Sequence, residues 1–197
     1  MTLANTARRL NASRIPRLIL VTDEIRLSDP LAAIRRLPRG SAVLLRHYGS
    51  PERLKLARIM ARLTRIRRLY LLVAADWRLA ARLGADGVHL PEGLARHAVL
   101  APALGWRRRA NALLTVACHS PPALARARAL GADAAVLSPV FPTQSHSGAK
   151  AIGPLRFAQW SRRARMPVIA LGGITGATAR RLPPGTAAGL AAIGALA

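Results

Sequence analysis

Several residue types are scarce in this chain of 197 residues, and each scarcity excludes a class of structure or site. The single cysteine, Cys118, excludes an internal disulfide framework and any paired-cysteine metal or redox motif, which fits a reducing cytoplasm. No apolar run reaches membrane-spanning length, so we expect a soluble, cytoplasmic protein with no membrane partner. Aromatic residues make up only 4% of the chain, so stacking surfaces for nucleic acid are poorly supplied.

Negative charge is also scarce, and this makes the chain strongly basic. Eight acidic residues stand against 31 basic ones, of which only Lys55 and Lys150 are lysines, and the formal net charge is +23. Such a charge attracts anions in general, including nucleotides, small phosphates and polynucleotides. The arginines occur in nearly every predicted helix instead of on one face. The charge does not say which anion is bound, and a solvated, arginine-biased surface is the favoured explanation. We therefore expect no specific nucleic-acid partner, and the case for small phosphorylated substrates depends on the top-face residues described below.

Apolar runs alternate with helical patterns along the chain. The runs that predict strands are Leu18–Val21, Ala42–Leu45, Leu69–Val73, Gly87–Leu90, Leu113–Ala117, Ala134–Leu137, Val168–Leu171 and Ala187–Ile193. The patterns that predict helices are Pro30–Arg36, Pro51–Thr64, Arg78–Leu83, Leu94–Leu104, Pro122–Leu130, Pro154–Arg163 and Ala177–Leu182. Continuously apolar strands alternating with helices indicate a parallel sheet covered by helices. Eight such units predict one compact α/β domain over residues 1–197, a (β/α)8 TIM barrel.

The two ends of the chain carry expectations of their own. Little sequence follows the eighth strand, so the last outer helix is expected to be missing. The outer flank of that strand, around Leu190 and Ile193, then needs cover from the N-terminal segment or from a second subunit of a homo-oligomer. Residues 1–16 are rich in arginine and lack acid, faintly like a transit peptide, but a short helix that caps the bottom of the barrel is the favoured interpretation.

Two near-repeats, LGADGVHL (Leu83–Leu90) and LGADAAVL (Leu130–Leu137), indicate which end of the barrel is which. In each repeat a glycine ends a helix and an aspartate precedes the next strand. Asp86 and Asp133 are therefore expected on the bottom face, in structural roles. Functional side chains of such barrels lie just past the strand ends, on the top face.

The top face is well supplied with groups that bind anions. Gly172 and Gly173 follow the apolar run Val168–Leu171, and a glycine pair before the last strand predicts a phosphate-binding site. We expect their amides to point into a top-face pocket and Gly173→Val to abolish phosphate binding with the fold intact. The other residues assigned to this site are Thr143, Ser145, Ile193 and Gly194. The loop 139–150 is interpreted as a mobile lid, with His146 and Lys150 as further donors to a pyrophosphate.

Acid–base and metal-binding groups are few on the same face. His119, after the fifth strand, is a candidate general acid or base, with a hydrogen-bonded histidine at the barrel mouth as the alternative. Cys118 should turn away from His119, because side chains alternate along a strand. Arg46 offers a planar fork of donors to a pyrophosphate. Asp76 and Glu92 follow adjacent strands and are the candidate Mg²⁺ ligands, although a helix N-cap and a solvated loop carboxylate are their commoner fates.

The motifs along most of the chain resemble the thiamine-phosphate synthase family, which includes thiazole tautomerases. In chain order they are ILVTDE (Ile19–Glu24), LLR (Leu44–Arg46), GADGVHL (Gly84–Leu90), VACHS (Val116–Ser120), LGADAAVLSPVFPTQS (Leu130–Ser145), ALGGI (Ala170–Ile174) and the closing AAIGAL. The resemblance implies a (β/α)8 barrel whose reaction joins a pyrimidine methyl pyrophosphate to a thiazole phosphate. Pyrophosphate would leave with the help of Mg²⁺.

The resemblance is uneven around the barrel mouth. After the second strand the family has Gln-x-Arg-x-Lys, where this chain has Leu44, Arg46 and Tyr48, so only the arginine is shared. The family's Asn-Asp after the third strand corresponds to Ala74 and Ala75, and its Asp after the fourth strand to Leu94. Its Ser of the fifth strand corresponds to Ala117, and its Lys of the loop after the sixth strand to His146. These changes fall on the Mg²⁺ and pyrophosphate side, whereas the thiazole-phosphate side follows the family pattern. The leading interpretation is a synthase in which Asp76 and Glu92 take over metal binding. The alternatives are a metal-free tautomerase with His119 as the proton shuttle, and a phosphate-ligand binding protein without catalysis.

Overall fold

The computed structural model describes residues 2–8, 10, 15–96, 101–143 and 150–196. Eight parallel strands close into a barrel in chain order, and β8 pairs with β1. The strands are β1 (Leu18–Val21), β2 (Ala42–Leu45), β3 (Tyr70–Ala74), β4 (Gly87–Leu90), β5 (Leu113–Cys118), β6 (Ala134–Leu137), β7 (Val168–Ala170) and β8 (Gly189–Ala192). The predicted (β/α)8 barrel is confirmed, with strand boundaries shifted by at most two residues.

Helices cover the outside of the barrel. They are α1 (Leu3–Ala7), α2 (Pro30–Arg36), α3 (Arg53–Arg67), α4 (Trp77–Leu83), α5 (Ala101–Ala110), α6 (Pro121–Ala129) and α7 (Pro154–Ala164), with 3-10 segments at Leu94–Arg96, Thr178–Arg181 and Gly194–Leu196. Within the helix predicted over Leu94–Leu104, the structure has a 3-10 turn at Leu94–Arg96 and the start of α5 at Ala101, and residues 97–100 lie outside the described ranges. The helix predicted over Ala177–Leu182 is a 3-10 segment. None of the helices in the described ranges is long and apolar enough to cross a membrane.

Alternation along the strands divides the apolar residues into two layers. The inner layer fills the barrel with Ile19, Val21, Ala42, Leu44, Leu72, Ala74, Leu113, Ala134, Val136, Ile169 and Ala191. The intervening strand residues point outward and pack under the helices. This alternation determines which residues just past each strand end lean over the barrel mouth.

The outer flank of β8 is buried at Leu190, and α1 belongs to the same apolar cluster. Leu3 and Ala7 of α1 are buried in the same outer cluster as Leu190, which is 1% exposed, and α1 contacts the 3-10 segment Thr178–Arg181. Leu190 is thus buried within one chain and needs no cover from a second subunit, whereas its cover by the N-terminal segment stays a prediction. Ile193 turns the other way and lines a cavity on the top face.

The two aspartates of the near-repeats lie at the bottom of the barrel, as predicted. The Oδ2 atom of Asp86 accepts the N–H of Leu71 at 2.8 Å, and that of Asp133 accepts the N–H of Leu114 at 2.7 Å. Each aspartate thus binds a strand-start amide of the preceding barrel strand. Asp133 Oδ2 also accepts from Nη2 of Arg107 at 2.9 Å. These contacts give both carboxylates structural roles.

Candidate active site

A cavity of about 380 Å³ opens on the top face, between the loops that follow β7 and β8. Its lining consists of Arg26, Thr143, Leu171, Gly172, Gly173, Ile174, Thr175, Ala192, Ile193, Gly194 and Ala195. Five residues predicted to bind phosphate therefore share one cavity: Thr143, Gly172, Gly173, Ile193 and Gly194. Ser145 and His146 lie outside the described residues, so their assignment stays a prediction. Lys150 is exposed, and the positive charge in the lining comes from Arg26.

The glycine pair after β7 is required by the packing of two loops. Gly172 and Gly173 have φ angles of +90° and +62°, which residues with a side chain rarely adopt. A Cβ on Gly172 would lie 2.7 Å from the Cα of Pro139, and one on Gly173 would lie 2.6 Å from the carbonyl oxygen of Pro142. The expectation that Gly173→Val leaves the fold intact is therefore wrong, because the added carbons would displace the loop after β6.

Hydrogen bonds hold the glycine loop on both sides. The N–H of Phe141 donates to the carbonyl of Gly172 at 3.0 Å, and the Thr178 hydroxyl donates to the carbonyl of Gly173 at 2.7 Å. Thr178 Oγ1 also accepts the N–H of Thr175 at 2.8 Å. Across the described ranges, the N–H groups of Gly172 and Gly173 have no hydrogen-bond partner, so both remain available to a ligand.

Sequence reasoning missed Arg26, which lines the same cavity. Its Nε donates to Oδ1 of Asp23 at 3.2 Å, and its Nη2 donates to Oδ2. Burial alone would raise the pKa of Asp23, but hydrogen bonds from Arg26 and from the amides of Arg26 and Ile25 outweigh it, so the pKa is lowered. Asp23 is thus ionised near neutral pH. The spacing in TDEIR, with an arginine three residues after an aspartate at a strand end, could have indicated the Asp23–Arg26 pair but not its place in the cavity.

A second cationic group, Arg46, follows β2 at the barrel mouth. Leu44 points into the barrel, so alternation directs Arg46 inward as well, and its N–H donates to Thr22 Oγ1 at 3.1 Å. Below it His89 is buried, with Nδ1 2.9 Å from Thr115 Oγ1. Burial and then the positive charge of Arg46 lower the pKa of His89 to about 3. The floor of the barrel mouth is therefore a neutral imidazole beneath a guanidinium. His89 lies within the near-repeat Leu83–Leu90 and was not singled out from the sequence.

His119 lies exposed at the rim, with its tautomer fixed by the fold. Its Nδ1 is 2.8 Å from the carbonyl oxygen of Ser138. Because a carbonyl can only accept, Nδ1 carries a proton, and in the neutral ring the lone pair lies on Nε2. The neighbouring Cys118 is buried in the outer cluster, as alternation predicts. Burial, and then the charge of Glu92, raises the pKa of Cys118 to about 12, so this thiol is not a nucleophile at neutral pH.

The carboxylates of the two candidate metal ligands are bound within the protein. Asp76 Oδ1 accepts the N–H of Leu79 at 2.8 Å as the N-cap of α4. Glu92 Oε1 accepts from Arg126 at 3.0 Å, and its Oε2 accepts the N–H of His119 at 3.1 Å. In the described parts of the chain, no three His, Cys, Asp or Glu side chains are grouped to hold a metal ion. This arrangement does not fit Mg²⁺, and metal dependence stays a prediction.

Two alanines occupy the end of β3, where the family resemblance expects Asn-Asp. Ala74 is buried in the inner layer, and Ala75 has a φ of +63°. A non-glycine residue in the left-handed region is uncommon, and Asn and Asp are several-fold enriched there. The backbone at Ala75 thus has a conformation suited to Asn or Asp, but the two alanine side chains offer no oxygen to a cation.

Replacement of Asp76 by alanine tests its role as a helix cap. We expect the free energy of unfolding to fall by about 1 kcal/mol, because the α4 amide of Leu79 loses its acceptor. The matched control is Asp29→Ala, which removes the cap of α2, where Asp29 Oδ1 accepts from Ala32 at 2.9 Å. Urea unfolding should give similar losses for both. A loss of Mg²⁺-dependent turnover in Asp76→Ala alone would contradict a purely structural role and restore the metal hypothesis.

Comparison with known proteins gives a consistent family. The model of the family described as thiamine monophosphate synthase matches residues 18–196. The chain is 32% identical to a thiamine-phosphate synthase of Thiobacillus denitrificans, over 90% of this chain and 80% of the relative. It is 30% identical to that of Bacillus velezensis, over 86% of this chain and 77% of the relative. Thiamine phosphate pyrophosphorylase from Pyrococcus furiosus has a similar structure, with a TM-score of 0.74 and 25% identity over 90% of this chain and 85% of that one.

Proposed function

This chain belongs to the thiamine monophosphate synthase family of transferases, and on that premise we propose that it joins a hydroxymethylpyrimidine pyrophosphate to a thiazole phosphate and releases pyrophosphate. The observation that carries the proposal is the top-face cavity, around which Thr143, Gly172, Gly173, Ile193 and Gly194 come together. Small phosphorylated substrates are the ligands that this site would take. We also propose a cytoplasmic location, in keeping with the free, buried Cys118.

The thiazole phosphate would occupy the cavity. Successive backbone N–H groups in a turn can form a concave anion-binding surface, and Gly172 and Gly173 supply two such groups in the turn after β7. The Thr143 side chain adds a hydroxyl at the same cavity. The volume of about 380 Å³ lies within the range of small-molecule sites.

The pyrimidine pyrophosphate would lie towards Arg46. As pyrophosphate leaves, negative charge develops on the departing oxygen, and a positioned guanidinium stabilises this charge with two directed hydrogen bonds. Arg46 is half-buried at the mouth, where water screens its charge less than at an open surface. No step is assigned to Mg²⁺, because Asp76 and Glu92 are bound within the protein.

A second candidate function, thiazole tautomerisation, is favoured by one observation. The carbonyl of Ser138 accepts the Nδ1 proton of His119, so in the neutral ring the lone pair lies on Nε2. An imidazole in this state can take a proton from one ring position and return it to another. Such a reaction needs no metal ion.

One set of assays distinguishes these functions. The unmodified protein is incubated with both substrates, in one reaction with Mg²⁺ and in another with a chelator, and the joined product and pyrophosphate are measured. We expect the joined product and pyrophosphate to form. In a separate assay of thiazole isomerisation, His119→Asn keeps an N–H for Ser138 but removes the base, and a tautomerase would lose about 100-fold or more of its rate. Isomerisation without joined product would reject the synthase proposal. Binding of thiazole phosphate with neither product would indicate a binding protein.

A further inference from the structure

Arg26 reaches the top-face cavity from a different part of the barrel than the other polar groups. Thr143 follows β6, Gly173 follows β7 and Gly194 follows β8, whereas Arg26 belongs to the turn after β1. Since β1 and β8 are paired neighbours, closure of the barrel is what brings this turn to the cavity. Arg26 adds a positive charge to a lining that is otherwise apolar or uncharged.

Asp23 holds Arg26 in a fixed orientation. Its Oδ1 accepts the side-chain Nε of Arg26 at 3.2 Å and the backbone N–H groups of Ile25 and Arg26 at 3.2 and 3.1 Å. Its Oδ2 accepts from Nη2. One edge of the planar guanidinium is thereby bound, and a guanidinium has five N–H donors. In the part of the chain that the structure describes, the Nη1 atom of Arg26 has no protein acceptor.

We propose that Arg26, oriented by Asp23, binds the phosphate group in this cavity and restricts the thiazole-side ligand to the phosphate ester over the free alcohol. This inference rests on the proposed function, which it deepens by naming a determinant of ligand specificity. The carboxylate of Asp23 offsets much of the net charge of the guanidinium. Recognition therefore depends on directed hydrogen bonds from a pre-organised fork, and a lysine cannot reproduce it.

The test compares the phosphate ester of the hydroxyethylthiazole with the corresponding alcohol by titration calorimetry. Arg26→Gln should lose about 10- to 100-fold in affinity for the ester, the range of a charge-assisted hydrogen bond, with affinity for the alcohol unchanged. Asp23→Asn keeps an acceptor for the backbone amides but loosens the fork, so we expect a smaller loss for the ester alone. The matched control is Arg35→Gln, which removes the same charge from the exposed last turn of α2 and should leave both affinities unchanged.

Two further measurements keep the result decisive. If Arg26→Gln does not fold, as judged by circular dichroism, Arg26→Lys provides the test, because it keeps the charge and should still weaken the ester. Titration of inorganic phosphate, followed by ³¹P NMR, separates this inference from the proposed function. If the unmodified protein binds inorganic phosphate and Arg26→Gln does not, the inference is supported even when the thiazole ester does not bind. Parental phosphate binding in Arg26→Gln, or equal losses for ester and alcohol, would overturn it.

Discussion

Replacing Arg46 with glutamine is expected to lower the turnover of the proposed reaction by about 100- to 1000-fold, the effect of removing one pre-organised donor to a developing negative charge. Arg46 leans over the barrel mouth above the buried His89, and the nearby carboxylates of Asp76 and Glu92 are bound by other groups. Among the described residues, this guanidinium is the group to which we assign stabilisation of the departing pyrophosphate. Steady-state kinetics with both substrates measure the effect.

Two controls separate catalysis by Arg46 from a general effect of charge. Arg78→Gln removes the same charge from an exposed position at the start of α4, and its turnover should match the parent. The pKa of His89 provides a structural readout, because the positive charge of Arg46 lowers it. In Arg46→Gln that pKa should rise, while burial, its largest cause, still holds it below the ordinary value. A loss of less than threefold in turnover would assign leaving-group stabilisation elsewhere.

The barrel itself could be predicted because its strands carry an unambiguous pattern. Strands buried on both faces read as continuous apolar runs, and runs such as Leu18–Val21 and Ala134–Leu137 have the bounds that the structure shows. The predicted set of phosphate-binding residues followed from the same register, because residues past the ends of neighbouring strands meet at one face. Where the pattern was helical and weak, as over Leu94–Leu104, the prediction failed.

The remaining features depend on contacts between distant segments, which periodicity does not encode. Nothing in the run TDEIR specifies that Arg26 crosses to the cavity beside β8, since that depends on barrel closure. Asp76 satisfied two patterns at once, a strand-end carboxylate and a helix cap, and only the 2.8 Å contact with Leu79 distinguishes them. His89 was hidden because an inward-facing strand position ordinarily holds an apolar side chain.

The other large effect is expected at Gly173, where alanine should lower the free energy of unfolding by about 2 to 5 kcal/mol. Part of this is the left-handed backbone, which costs a non-glycine residue about 1 to 2 kcal/mol. The rest is overpacking, about 1 to 3 kcal/mol, because the new Cβ would lie 2.6 Å from the carbonyl oxygen of Pro142 and 2.7 Å from the Cβ of Phe141. Gly173→Val adds two carbons to the same clash, so it should also abolish binding of the thiazole phosphate by displacing the loop after β6.

Gly185→Ala is the matched control that separates the two contributions at Gly173. Gly185 has a φ of +72°, close to the +62° of Gly173, but no atom lies within 4 Å of the Cβ that alanine would add. Urea unfolding should therefore show a loss of about 1 to 2 kcal/mol for Gly185→Ala, from the backbone alone. Equal losses in the two variants would show that the loop after β6 moves aside freely. The glycine pair would then be kept for its backbone conformation, and the close contact between the loops after β6 and β7 would contribute nothing to the stability of the phosphate site.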